Sequence, residues 1–261
     1  SINFRSLLIM IGPEFNVLTQ KIEDYELRSL IGKGSYGSAY LVVNRKTGEK
    51  VCSKVVNHAD YIQLDMEMKG LTINHPTIIK YYGFSLNDFN GQKHLTIFME
   101  YAVNNSLRSI YDKELHHMRP NEINATVLLK MFIGLSFGMK KLHENQIMHR
   151  DISPNNILFD ENYEIRICDF GLSKNLPNGY SKNESNRLYG TPNYASPELL
   201  NGEEYSFKAD VYSFGAIMKE VFDVYQDFDL MKYNIFKNLI ERCTENDPNL
   251  RPTFKEICDQ L

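Results

Sequence analysis

His149-Arg150-Asp151-Ile152-Ser153-Pro154-Asn155-Asn156 and, further on, Asp169-Phe170-Gly171 are the residues on which the reading of this chain turns. The first run fits H-R-D-x-x-x-x-N and the second D-F-G. In that pattern Asp151 can take the proton of a hydroxyl while orienting the oxygen for attack. Asn156 and Asp169 offer hard oxygens, the donors magnesium prefers when waters and phosphates complete its shell. Each residue also has an ordinary reading, Asp151 as a turn residue and Asp169 as a cap. Both motifs in this order, behind the features that precede them, make coincidence a poor explanation.

Upstream, Gly32-Lys33-Gly34-Ser35-Tyr36-Gly37 fits GxGxxG. Glycines let a backbone approach phosphate oxygens and take positive φ without steric penalty. Many such turns are only hairpins, so context decides. This loop joins two strand-like runs, whereas a dinucleotide-binding fingerprint opens a helix. Lys54, in Val51-Cys52-Ser53-Lys54, sits where V-A-I-K places a lysine on the α- and β-phosphates. It needs a carboxylate to hold it, for which Glu67 is the candidate and Asp65 the poorer alternative.

Around these motifs the first half reads as sheet. Tyr25–Ile31, Ser38–Asn44, Glu49–Val56, Ile78–Ser85 and Lys93–Glu100 are strand-like, with Lys46-Thr47-Gly48 and Asn90-Gly91 as turns. A helix is predicted after Asp60 to about Leu71, before the His75-Pro76 break. From about Ser106 the period becomes helical. Leu128, Met131, Phe132, Leu135, Met139 and Leu142 mark one face, and Val211, Phe214, Ile217, Met218, Val221 and Phe222 another. Two closing helices carry Ile235, Phe236, Leu239, Ile240 and Cys243, then Phe254, Ile257, Cys258 and Leu261. The predicted class is α+β: a small β-sheet lobe with one helix, then a larger, mainly helical lobe.

The 261 residues, 43% hydrophobic and 24% charged, suit a globular chain of this size. A net charge of -4 without a basic stripe argues against a nucleic-acid partner. Cys52, Cys168, Cys243 and Cys258 form no CxxC pair or zinc spacing and read as reduced, mostly buried thiols. The run Leu7-Leu8-Ile9-Met10-Ile11 is too short for a membrane span and lacks the flanks of a signal peptide. It reads as a weak strand or a docking segment. A cytoplasmic location is expected.

Over roughly Asp24 to Leu261 the sequence resembles the eukaryotic-type protein kinase superfamily. Gly190-Thr191-Pro192-Asn193-Tyr194-Ala195-Ser196-Pro197-Glu198 is similar to the end of an activation segment, with Ser196 in place of the alanine of A-P-E. Asp210-Val211-Tyr212-Ser213-Phe214-Gly215 resembles D-V-W-S-F-G, and Asp247–Phe254 resembles the closing motif whose Arg251 would pair with Glu198. The last two motifs have the flavour of the tyrosine-kinase-like group. The resemblance implies an N-terminal extension over 1–23 and a kinase domain over 24–261, with lobes 24–101 and 102–261.

It also implies ATP and Mg2+ as cofactors and assigns residues to them. Ile31, Gly32, Lys33, Gly34, Ser35, Tyr36 and Gly37 would cover the nucleotide, and Ala39, Cys52 and Leu158 would sandwich its base. Met99 would be the gatekeeper, and the backbone of Glu100 and Ala102 would bind adenine. Lys54 and Glu67 would align the phosphates, Asn156 and Asp169 would hold the metal, and Asp151 would act on the acceptor hydroxyl. Leu71, Tyr81, His149 and Phe170 would form a hydrophobic spine anchored by Asp210. The stretch from Glu67 to His75 is one residue shorter than usual.

Gly190-Thr191-Pro192 resembles the serine/threonine pattern, in which the threonine supports the aspartate. Ser153 stands where such enzymes carry a lysine, and the R-A-A or A-A-R of tyrosine kinases is missing. The expected function is γ-phosphate transfer from ATP to serine or threonine of protein substrates. A nucleotide-binding pseudokinase scaffold and a tyrosine or dual-specificity kinase are the alternatives. A regulatory kinase, or self-phosphorylation at Ser181 or Ser185, with Tyr180 and Ser173 behind them, would act through Arg150. The short stretch after the helix ending near Tyr225 replaces a helix and long loop usual in the family.

Overall fold

The computed structural model describes residues 19–34, 37–56, 73–116, 118, 122–181, 190–226 and 234–261. They form two compact units, one of the described residues up to Asn74 with Ile79–Ala102, the other of His75–Ile78 and Val103–Leu261. The predicted helix of 60–71 and the apolar run of 7–11 lie outside the described residues.

The first unit is a five-stranded antiparallel sheet of β1 (Tyr25–Gly34), β2 (Gly37–Asn44), β3 (Lys50–Val56), β4 (Tyr81–Ser85) and β5 (Thr96–Glu100). Its order is β1-β2-β3-β5-β4. Tyr25, Val42, Val51 and Phe98 make its core, with the rings of Tyr25 and Phe98 stacked at 4.3 Å. Large β-branched and aromatic residues at alternating positions give one face this apolar cover.

Three strands are shorter than the sequence predicts, β3 by Glu49 alone and β4 and β5 by three residues each. Ile78 belongs to the second unit, where it bridges Ile167 while Thr77 O accepts from Ile167 N at 2.8 Å. β5 starts only at Thr96 because the Asp88 carboxylate gathers the loop before it. Its Oδ1 accepts from Asn90 N and Gln92 N, and its Oδ2 meets His94 Nδ1 at 2.9 Å. The end of the segment before β1 lies along β4: Thr19 bridges Phe84, and Gln20 N donates to Phe84 O at 2.7 Å.

The second unit carries α1 (Leu107–Leu115), α2 (Ala125–Glu144), β6 (Ile147–Met148), β7 (Ile157–Phe159), β8 (Ile165–Ile167), β9 (Lys174–Asn175) and β10 (Tyr180–Ser181). After these come α3 (Pro197–Leu200), β11 (Tyr205–Ser206), α4 (Lys208–Val224), α5 (Asn234–Cys243) and α6 (Phe254–Gln260). Asn124 caps α2 by accepting from Val127 N, and Thr253 with Glu256 forms a capping box on α6. The face of α2 predicted from its period is the buried one. Phe132 on it packs edge-on to Phe214 and Phe222 of α4 at 6.2 and 5.9 Å. Gly138 is required for close approach: a Cβ there would lie 2.5 Å from Ile167 Cδ1 and Thr77 Oγ1.

All four cysteines are free thiols, and burial pushes that of Cys243 up to about 12. Ile235, predicted on the apolar face of α5, is exposed. Among the described residues no helix is long and apolar enough to cross a membrane. The class is α+β, a small antiparallel sheet unit followed by a helical one.

Candidate active site

The loop between β6 and β7 holds His149–Asn156, and one buried carboxylate fixes its start. Asp210 of α4 accepts from His149 N at 2.8 Å through Oδ2 and from Arg150 N at 2.9 Å through Oδ1. His143, at the end of α2, brings Nε2 to the same Oδ2 at 2.9 Å. Burial alone would raise the Asp210 pKa. The bond and charge of His143, with His149, outweigh burial and hold it below the ordinary carboxylate range. These bonds keep Arg150 at φ 66, a left-handed conformation a non-glycine residue adopts only when its surroundings over-determine it.

The His149 ring is also fully engaged. Nε2 donates to Cys168 O at 3.0 Å, since a carbonyl can only accept, and Nδ1 accepts from Asp151 N at 3.3 Å. The ring lies 5.2 Å from that of Phe170. His149 thereby ties the start of one motif to the other.

Asp151 is held from both sides. Thr191 donates to Oδ1 through its backbone N at 2.9 Å and its hydroxyl at 2.8 Å. Asn156 Nδ2 donates to Oδ2 at 2.9 Å and to Asp151 O at 2.8 Å. Both partners of that amide are pure acceptors, so its NH2 must face them and its carbonyl oxygen is turned elsewhere. The Asn156 backbone O accepts from Cys168 N at 3.0 Å, placing Asn156 beside the strand end that leads into Asp169. Asp169 has φ 64 and accepts from Gly171 N at 3.3 Å. An amide oxygen and a carboxylate suit magnesium, whose remaining ligands would come from phosphate and water.

Thr191 reaches Asp151 only because residue 190 is glycine. Gly190 has φ +87, and a Cβ there would lie 2.5 Å from Arg150 O, a backbone atom. Gly190→Ala is expected to introduce about 1–3 kcal/mol of strain. Displacement of Thr191 should then lower whatever activity depends on Asp151 about tenfold. Denaturant unfolding and steady-state turnover of this variant check both.

The Arg150 side chain is buried against the segment that follows Gly171. Nε donates to Leu172 O at 2.5 Å, Nη2 to Ser173 O and Nη1 to Tyr205 Oη, both at 3.3 Å. Next to it Lys174 Nζ donates to Ser181 Oγ at 2.6 Å, and Ser181 pairs with Tyr205 across β10 and β11. Further on, Glu198 and Arg251 form the pair expected from the motifs, with Nη1–Oε1 at 2.7 Å and Nη2–Oε2 at 2.9 Å.

The first unit holds most of the other described candidates. Lys54 stands on β3 between Ala39 of β2 and Ile97 of β5, and Cys52 lies opposite Met99. Glu100 N donates to Lys80 O at 2.8 Å, and Ala102 is buried at the end of the unit. Ile31, Gly32, Lys33 and Gly34 are exposed on β1, which turns so that Gly34 pairs with Gly37. Ser35, Tyr36, Glu67 and Leu71 lie outside the described residues. Leu158, on β7 of the second unit, pairs with Arg166. His143 escaped the sequence reading, because a histidine near a helix end has no pattern that reveals a partner sixty-seven residues on.

A family model described as protein kinase domain matches residues 25–235. An Aurora kinase of Eremothecium gossypii is 29% identical over 91% of this chain and 68% of its own length. Dual specificity testis-specific protein kinase 2 of Mus musculus is 29% identical over 93% of this chain and 45% of its own length. Serine/threonine-protein kinase RUNKEL of Arabidopsis thaliana is 29% identical over 91% of this chain and 18% of its own length. The chain spans less than half of the mouse and plant proteins. Since the match covers most of the sequence and takes in both motifs built around Asp151 and Asp169, the chain belongs to the protein kinase family.

Proposed function

We propose that this domain transfers the γ-phosphate of ATP to serine or threonine hydroxyls of protein substrates, and that it is of the tyrosine-kinase-like group. The observation that carries the reading is the pair of bonds from Thr191 to Asp151 Oδ1, within Gly190-Thr191-Pro192. On this reading residues 24–101 and 102–261 are the two lobes. Asp151 orients the acceptor hydroxyl and takes its proton. Asn156 holds Asp151 through its NH2 and offers its oxygen, with Asp169, to Mg2+. Lys54, held by Glu67, aligns the α- and β-phosphates. When bound, magnesium would neutralise the charge on the phosphates as it is redistributed.

Ser153 replaces a lysine that would make a charged contact with phosphate, which costs roughly 10²-fold in rate if nothing substitutes for it. Its hydroxyl is buried and has no hydrogen-bond partner among the described residues. Phosphoamino-acid analysis of a protein or peptide mixture incubated with magnesium-ATP tests the specificity. Phosphoserine and phosphothreonine are expected, and predominant phosphotyrosine would overturn the assignment. The mouse relative is named a dual-specificity kinase, which supports a second reading in which both classes of product form.

Regulation by a second kinase or by self-phosphorylation fits the surroundings of Ser181. A phosphate there brings about −1.5 to −2 charges to a hydroxyl already bonded to Lys174, with Arg150 linked to its neighbour Tyr205. Ser181→Ala is expected to abolish activation by magnesium-ATP preincubation, and an unchanged time course would refute it. Ser185 lies outside the described residues.

A further inference from the structure

β4 is an outer strand of the sheet in the first unit, and its own sequence does little to protect it. Tyr81-Tyr82-Gly83-Phe84-Ser85 holds no charge and no proline, and all but Tyr82 are buried. An edge strand presents backbone N–H and C=O groups to any chain that can pair with them, and an apolar one is a template for association. β1, at the opposite edge, carries Glu26, Arg28 and Lys33.

Thr19 and Gln20, ahead of β1, cover the β4 edge. Thr19 bridges Phe84 in parallel register, and Gln20 N donates to Phe84 O at 2.7 Å. The Gln20 side chain reaches a second carbonyl of the same strand, with Nε2 donating to Tyr82 O at 2.9 Å. Its Oε1 accepts from Tyr25 Oη at 3.0 Å, so the amide is fixed with its NH2 toward the strand. Carbonyls two residues apart on a strand lie about 6–7 Å from one another. One glutamine spans that interval, binding the first with its backbone and the second with its side chain.

The chain behind Gln20 is fastened separately. Lys21 O accepts from Asp24 N at 3.0 Å, Asp24 O accepts from Arg45 N at 2.8 Å, and the Asp24 carboxylate meets Lys46 Nζ at 2.9 Å. Ile22 packs on the core of Tyr25, Val42, Val51 and Phe98. Gln20 is therefore tethered close to β4, at an effective concentration in the millimolar range or above.

We infer that Thr19–Gln20 is a strap that closes the β4 edge against strand addition by a second copy of this chain, with Gln20 as its latch. A second copy is the fitting occupant because the edge is complementary to itself. A two-fold axis beside β4 sets the strand antiparallel to its own image, and no like charges are opposed. The inference stands on the sheet alone and is independent of the phosphotransfer reading. At micromolar protein a second copy does not displace a tethered segment, so the intact chain keeps its edge closed. Freeing the strap exposes Tyr82 O and Phe84 O, and two sheets can then join edge to edge.

The test compares the full chain with Gln20→Ala, which loses both side-chain bonds, and Gln20→Pro, which also loses the backbone donor. Sedimentation velocity over a range of concentrations is expected to show self-association about a hundredfold tighter in Gln20→Ala than in wild type. Losing two hydrogen bonds favours strap opening roughly tenfold, and both copies must open. Gln20→Pro should associate at least as tightly. Residue-resolved amide exchange should slow in β4, and not in β1, as the concentration of either variant rises. Variants that associate no more tightly than wild type overturn the inference, and so does association that leaves exchange in β4 unchanged. The wild type supplies a check that needs no variant to fold. Its Gln20 amide should exchange slowly, and exchange at the rate of an unfolded chain would show the strap open and overturn the inference.

Discussion

Asp151→Asn is expected to lower phosphoryl transfer by about 10² to 10⁴ while nucleotide affinity stays near that of the wild type. The loss has two sources. An amide cannot take the acceptor proton, and it cannot satisfy the neighbours of the carboxylate. Oδ1 accepts two bonds from Thr191 and Oδ2 one from Asn156, so an amide must set its NH2 against a donor on one side. Steady-state transfer and nucleotide binding measured separately on the variant distinguish this from general unfolding. Near-normal turnover would remove Asp151 from the chemistry.

Arg251→Ala should destabilise the domain by about 3–5 kcal/mol, because it leaves Glu198 as an unpaired buried charge. Arg251 uses all five of its N–H donors. Two go to Glu198, and the others to Glu245 O at 2.7 Å, Lys208 O at 3.1 Å and Asn246 O at 3.2 Å. Lysine has neither the fork nor the donor count to replace it, so Arg251→Lys should recover only part of the loss. The double variant Glu198→Leu/Arg251→Met should be less damaging than Arg251→Ala, since no buried charge remains. The chain has no tryptophan, so urea unfolding is best followed by far-UV circular dichroism. Equal stability of Arg251→Ala and wild type would show that the pair does not hold α3 to the segment before α6.

The parts of the fold and site that were legible from sequence are those written in local patterns. The apolar period of α2 and the glycine pair that turns β1 into β2 depend on residues close in the chain. The Thr191–Asp151 and Glu198–Arg251 bonds span forty and fifty-three residues, and were legible only because both ends lie in recognisable motifs. Where one end carries no motif, the partnership was invisible. His143 on Asp210 and Arg108 on Glu220 are of this kind. Strand limits failed for another reason. Ile78 looks like strand, but it lies in the second unit, where Thr77 O accepts from Ile167 N, and Lys93–Leu95 follow a loop organised by the buried Asp88. Apolar and β-branched composition could not reveal either arrangement.

The most direct measurement is transfer of labelled γ-phosphate from ATP to a generic protein substrate by the wild-type chain, with and without magnesium. Magnesium-dependent label on serine and threonine, lost in Asp169→Ala, is the result predicted from the amide and carboxylate oxygens of Asn156 and Asp169. A folded chain that transfers no label at any magnesium concentration would contradict it.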